Sequence, residues 1–225
     1  MEMQTDGGGE APQKTSISGF KDDGSKDSHR YYLSRRTLVE MLRDRGYSVP
    51  HSDIQMSLHQ FRAIYGQSPH TSRLSISASL EIDPSNKILV VFCDKGIVKV
   101  NQIRNLAGKI TDKESLSRLI VVIQDKITDQ ATKTWDQFPF KVEIFQITDL
   151  LVNVTKHMLM PKFRLLTFEE KEQLLKKYTL DEKQLPRIKV DDAIVRYYAF
   201  EKGQVLEVTN NSDITGSYVS YSCVG

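Results

Sequence analysis

The side chains that most often do chemistry are few in this sequence, and their spacing does not suit it. Five histidines occur, His29, His51, His59, His70 and His157. No two stand three or four residues apart, the spacing that sets two imidazoles on one helix face for a metal ion. Cys93 and Cys223 lie far apart, each inside an apolar strand-like run. They read as buried thiols in a reducing compartment, not as a disulfide framework or half of a metal site. No Gly-x-Ser-x-Gly turn presents a nucleophile, Cys93 has no histidine motif beside it, and neither Walker A nor Gly-x-Gly-x-x-Gly offers a phosphate cradle. A metal-dependent nuclease would need carboxylates at a sheet edge, holding a divalent cation on the scissile phosphate. Asp83 and Asp94 end predicted strands and keep that alternative open, whereas Asp181-Glu182-Lys183 falls in a loop after a helix. The expectation is a chain with no catalytic residue, no metal site and no cofactor.

A contact with nucleic acid that involves no catalysis is better supported. Thr128, Asp129, Gln130 and Ala131 open a predicted helix directly after the apolar run LIVVIQD. Their backbone N–H groups would sit at the carboxyl edge of a sheet, where phosphate is commonly received. Asp129 opposes this, because a carboxylate in the first turn caps the helix itself and repels an anion. Arg30, Arg35, Arg36, Arg43 and Arg45 form a second candidate, a basic outer face on the first predicted helix, although such a face is more often simply solvated. The net charge is only +2, which argues against coating nucleic acid by bulk charge.

The elements that must carry these residues follow from the hydrophobic pattern. Residues 1–27 are Gly, Ser, Thr, Lys, Asp and Gln with almost no large apolar side chains, and read as a disordered tail. Ser28 then reads as an N-cap, Tyr32, Leu38, Val39 and Leu42 recur at helical spacing, and Gly46 supplies the stop. After a short helix in SLHQFRAIYG and an alternating strand in RLSISASLEID, the apolar runs KILVVFCD, RLIVVIQD and KVEIFQI alternate with helical segments. That is the pattern of parallel β-α-β units buried on both faces. An α/β fold is expected: a three-layer N-terminal domain with a mainly parallel sheet over residues 28–153, and a small mixed α/β module over residues 154–225.

In the second part, Thr167 and Glu170 form a capping box, and Lys176 and Lys177 favour the C-terminal end of the same helix. Ala193 to Phe200 reads as a short helix. VLEV and SYVSYSCV read as strands joined by a turn at Asn210, Asn211, Ser212 and Asp213. At about 70 residues this module is small for a self-sufficient core, and docking on a partner would relieve that. No apolar run approaches the roughly 20 residues of a membrane helix, and the N-terminus is not a secretory signal, so a cytosolic or nuclear chain is expected.

The stretches LLVNVTKHMLMPKFRLLTFEEKEQLLKKYTLDEKQLPRI, DAIVRYYAFEKGQV and GSYVSYSCV resemble the C-terminal assembly domain of the fifth subunit of eukaryotic nuclear RNA polymerases, a domain similar to one of the small subunits of the archaeal polymerase. MLRDRGY, from Met41 to Tyr47, is similar to the start of that family's N-terminal jaw domain. The resemblance implies a non-catalytic subunit, present once in a nuclear hetero-oligomer, with its jaw near downstream duplex DNA. It implies that Leu185 to Val208 packs against the largest subunit. Pro186 and Gly203 would set the backbone path there, Arg187 and Arg196 would hydrogen-bond across, and Tyr197 would supply contact area, while Val195 and Tyr198 serve the module's own core.

The chain departs from the polymerase II pattern of that family at Asp129, where a proline is usual, and at Glu201-Lys202 and Asn210-Asn211, where basic residues are usual. With HRYYLSRR at its start, it is similar to the plant RNA polymerase V version, which implies noncoding transcription for RNA-directed DNA methylation. A subunit shared by polymerases I, II and III is the alternative.

Overall fold

Residues 24–110, 115–135, 137–212 and 216–225 are described by a computed structural model. The N-terminal part of the expected tail, residues 1–23, lies outside them, as does Asp213.

The chain opens with α1 (Lys26–Asp44), α2 (His51–Gln55) and α3 (Leu58–Tyr65). Ser25 caps α1 by accepting the Asp27 N–H, so the helix starts earlier than Ser28 suggested. Ser28 lies inside the first turn, buried, and donates its hydroxyl back to the Ser25 carbonyl. At the other end Gly46 takes φ +85°, a left-handed conformation that glycine adopts without steric cost. It allows Tyr47 N–H to reach back to the Leu42 carbonyl at 2.9 Å and turns the chain toward the sheet.

That sheet contains β1 (Ile76–Ser79), β2 (Lys87–Phe92), β3 (Leu116–Ile123) and β4 (Lys141–Gln146), ordered β1-β2-β3-β4. β1 pairs antiparallel with β2, and the other two pairings are parallel, as the β-α-β pattern required. The crossovers are α4 (Val100–Lys109) and α5 (Asp129–Trp135). β3 explains why its apolar run is continuous. Ile120 and Val122 pack toward α1, whereas Leu119, Val121 and Ile123 pack toward α4 and α5. A central parallel strand has no solvent face, so polar alternation is lost. The result is three layers, with α1 on one side of the sheet and α4 and α5 on the other.

A second sheet follows, built from β5 (Lys162–Leu165), β6 (Arg187–Ile188), β7 (Val205–Ser212) and β8 (Gly216–Val224) in the order β5-β7-β8-β6. α6 (Phe168–Tyr178) carries the expected Thr167/Glu170 capping box, and Leu174 packs against Val205 and Cys223 on one face. On the other face α7 (Ala193–Tyr198) sets Val195 against Leu206, Val208 and Val224. The β7–β8 hairpin is longer than its polar residues suggested: Asn210, Asn211 and Ser212 are paired with Tyr218, Ser217 and Gly216, inside the ladder and not in the turn. Backbone pairing with the opposite strand outweighs their weak strand propensity.

Ile120→Ala, at a fully buried site in the central strand, is expected to cost about 2–5 kcal/mol. Urea unfolding checks this against Ile82→Ala, at an exposed turn position, which should stay within about 0.5 kcal/mol of the parent.

Candidate functional site

The nuclease alternative fails on geometry. Asp83 lies before β2, where it accepts from Ser85 and Asn86 to close a turn, and Asp94 lies beyond the other end of the same strand, accepting from Thr71. The strand between them is six residues long, about 20 Å, so the two carboxylates cannot share an ion. Among the described residues no group of three or more His, Cys, Asp or Glu is placed to hold one. Cys93 is buried, and that burial raises its thiol to about 11, which keeps it protonated and unreactive.

The arginine face is only partly a face: Arg36 and Arg43 are exposed on α1 and Arg30 is half-buried, whereas the side chains of Arg35 and Arg45 are buried. Arg35 is buried, donates to Asp53 at 2.9 Å and lies 5.5 Å from the Tyr65 ring centroid. Arg36 pairs with Glu40, and Arg43 pairs with Asp44. Arg45 points inward. Local sequence could not show the burial of Arg35 and Arg45, because the acids that receive them, Asp53 and Glu143, lie on other elements.

At the turn into α5, Thr128 caps the helix: its hydroxyl accepts the Ala131 N–H at 3.3 Å, so one amide expected to be free is used. Ala131 is fully buried against the sheet and cannot face DNA, a correction to its expected role. Asp129 and Gln130 are exposed, leaving a carboxylate and an amide at the surface of the turn.

The segment expected to meet the largest subunit, Leu185 to Val208, divides in two. Pro186 and Arg187 are exposed on the second sheet, and the Pro186 carbonyl accepts the Cys223 N–H. Gly203, at φ +85°, donates to the Val224 carbonyl and receives Lys171 Nζ, which sets the local chain path. Arg196 and Tyr197 instead turn back onto the first domain. Arg196 donates to the Ile144 carbonyl at 2.7 Å and to Asp149 at 3.3 Å, and lies 4.5 Å from the Phe145 ring centroid. Tyr197 is buried in the core beneath α1 and donates to Asp44 at 2.8 Å. Its expected contact area is therefore used within the chain. Tyr198 packs against the same core and also stacks on Phe200, which lies against the core of its own module, while Val195 lies within that module's core.

Arg45 completes this junction. Its side chain is 4% exposed, and its guanidinium makes two bonds to Glu143 at 3.2 and 2.8 Å. It also donates to the carbonyls of Arg196 and Tyr197, each at 2.8 Å. Those carbonyls end α7, where a cation is favoured by the helix dipole. Glu143 also receives Arg118, and Arg118 and Lys141 both reach Glu201. Glu201 thus has two cationic partners in the first domain. A second tie lies at the linker, where Asn153 donates to Glu40 at 2.8 Å and to Tyr197 at 3.2 Å, and Lys156 pairs with Glu40.

Residues 25–110 match the family described as RNA polymerase Rpb5, N-terminal domain, and residues 152–224 match RNA polymerase Rpb5, C-terminal domain. The chain belongs to the Rpb5 family. It is 54% identical over 200 residues to DNA-directed RNA polymerases IV and V subunit 5B of Arabidopsis thaliana, covering 89% of this chain and 92% of that one. Identity is 51% over 208 residues to DNA-directed RNA polymerase V subunit 5A of the same plant, covering 92% and 94%. To the shared DNA-directed RNA polymerases I, II, and III subunit RPABC1 of Caenorhabditis elegans it is 31% over 209 residues, covering 90% and 99%. In this Rpb5 chain the Arg45 junction joins the two matched domains, through a Glu143 that lies between the matched segments.

Arg45→Ala should destabilise the protein by about 3–5 kcal/mol, because it leaves Glu143 and two helix-terminal carbonyls short of donors. Arg45→Lys should recover little, since one ammonium cannot replace the planar fork. Urea unfolding measures both. A pH dependence follows from Glu40. Burial pushes its carboxyl up, but the bonds from Lys156 and Asn153 and the charges of Lys156 and Arg36 outweigh this and hold it below its ordinary 4.5. A depressed folded-state value stabilises the fold above 4.5, and that stabilisation is lost as pH falls through the folded-state value. The stability gap between the parent and Glu40→Gln should be full at pH 7 and close in acid, as measured by denaturation across the pH range.

Proposed function

We propose that this Rpb5 chain is a structural subunit, without catalytic residues of its own, of a plant nuclear RNA polymerase of the V type. In that setting it serves noncoding transcription for RNA-directed DNA methylation. The observation that carries the reading is its greater likeness to the plant polymerase IV and V versions of the subunit than to the versions shared by polymerases I, II and III. The first domain, residues 28–153, acts as a lower jaw beside downstream duplex DNA. Residues 154–225 anchor to the largest subunit through the exposed side of the second sheet, at Pro186 and Arg187, with one copy per complex.

The jaw's contribution is positional. Phosphate contacts set register without reading sequence, and the exposed Asp129 keeps the contact at the α5 turn weak. The two domains are joined by a buried ion pair and not by a free linker, so a load on the jaw is passed to the anchoring module as one body.

Affinity purification of a tagged chain from plant nuclear extract, followed by mass spectrometry, tests the assignment. The expected result is the polymerase V largest subunit in excess over those of polymerases I, II and III. Comparable amounts of several largest subunits would make this a shared subunit. Recovery of none would overturn the assembly reading.

A further inference from the structure

Each outer edge of the two sheets is protected except one. The outer side of β1 is met by Ser48, whose N–H bonds the Ser79 carbonyl, and by the bridge between Tyr47 and Leu80. β4 carries Lys141 and Glu143, and Arg196 donates to its Ile144 carbonyl. β5 is four residues long, bears Lys162 and Arg164, and follows Pro161. Short length, charge, proline and a covering side chain are the usual means by which a sheet edge is kept from pairing with another chain.

β8 has none of these over most of its length. Gly216 to Ser222 reads GSYVSYS, with no charge and no proline. Its β6 neighbour pairs only with Cys223 and Val224. The antiparallel register with β7 alternates, so Ser220 and Ser222, opposite Val208 and Leu206, spend their backbone groups on β7. The odd residues face the other way, as Cys223 does when it donates to the Pro186 carbonyl at 2.8 Å. Ser217, Val219 and Tyr221 therefore point their N–H and C=O groups outward, with no hydrogen bond to another element among the described residues. Pro186 is the reason the ladder stops there. In a parallel ladder the Tyr221 carbonyl would next receive the N–H of residue 186, and proline has none. Just upstream, the Leu185 N–H turns back to the Glu182 carbonyl, which takes the chain away from the edge.

We infer that the Ser217–Tyr221 edge of β8 is a strand-addition site, filled in the assembled enzyme by an extended segment of another polymerase subunit. The hydrogen-bond pattern selects the occupant. A row of outward N–H and C=O groups is complemented by an extended backbone and by little else. The edge continues from β6, where Pro186 and Arg187 form the exposed part of the assembly segment. Side chains refine the partner. Tyr221 packs against the α6 core and Val219 lies beside it, half exposed, so apolar residues on that face of the added segment would extend the α6 side of the sheet. Tyr218 and Ser220 present a polar-aromatic face on the other side.

The inference rests on the reading of the chain as an assembly subunit, and the test separates the two. Val219→Pro deletes an outward N–H that the β7 ladder does not use, a position at which proline is tolerated in a strand. In polymerase purified through the tagged chain, Val219→Pro should lower recovery of the other subunits by about tenfold or more, while Val219→Thr should leave it unchanged. Hydrogen exchange of the unmodified chain, alone and within the purified polymerase, gives a readout that does not depend on the proline variant folding. Peptides covering 217–221 should gain protection on assembly. Full recovery with Val219→Pro and no gain in protection would overturn the strand-addition site while leaving the assembly role intact. Loss of all polymerase subunits from the unmodified chain would overturn both, and protection that appears in the isolated chain as its concentration rises would assign the edge to a second copy instead.

Discussion

A guanidinium cannot be buried unless its charge and its donors are matched, and the arrangement of the two domains follows from how Arg45 meets that demand. It ends α1, and it finds one carboxylate on β4 and two carbonyls at the end of α7. Removing water from a cation costs several kcal/mol, so the four bonds form together or the domains separate at this point. The elements are distant in sequence, and the same side chain sets α1 against the sheet and α7 against both. Tyr197 and Arg196 are drawn in by this contact, which is why they point at the first domain.

On the proposed reading the chain's task is mechanical, and a jaw beside DNA would have to resist displacement relative to its anchor. A Gly/Ser linker would allow free swivelling, whereas Glu40, Asn153 and Lys156 tie the linker to α1 and Glu201 ties β7's approach to Arg118 and Lys141. The exposed pairs at Glu201 are individually weak, and the buried Arg45 pair supplies most of the resistance. The small second module is stabilised partly by the first, since Tyr197, one of its helix residues, is buried in the other domain's core.

The remaining surfaces of the module are then available to other chains. Its β8 edge differs from the other three sheet edges in lacking charge, proline and cover, and its ladder to β6 stops at a residue that cannot donate. Pro186 thus has a local reason: it ends intrachain pairing and leaves the next backbone groups open.

Much of the layering was legible in the sequence because it rests on local periodicity. The continuous apolar runs of β2 and β3 announced a parallel sheet covered on both faces, and Thr167 with Glu170 marked the start of α6, since capping involves residues three apart. The family was legible for the same reason, as contiguous stretches such as DAIVRYYAFEKGQV carry it. The site was read less well. Arg45 and Arg35 looked like a solvated basic face, Tyr197 like an exposed contact, Ala131 like a phosphate-facing turn, and Asn210 to Ser212 like a loop. Each of these depends on a partner far along the chain: Glu143 for Arg45, the α1 core for Tyr197, the sheet beneath α5 for Ala131, the opposite strand for the polar end of β7. The amino-acid sequence by itself determined the elements, their class and the family, because helix and strand signals lie within a few residues of one another. Which side chains are buried and which remain free for a partner was decided only by the tertiary structure, because desolvation and hydrogen-bond satisfaction are properties of residues brought together from opposite ends of the chain.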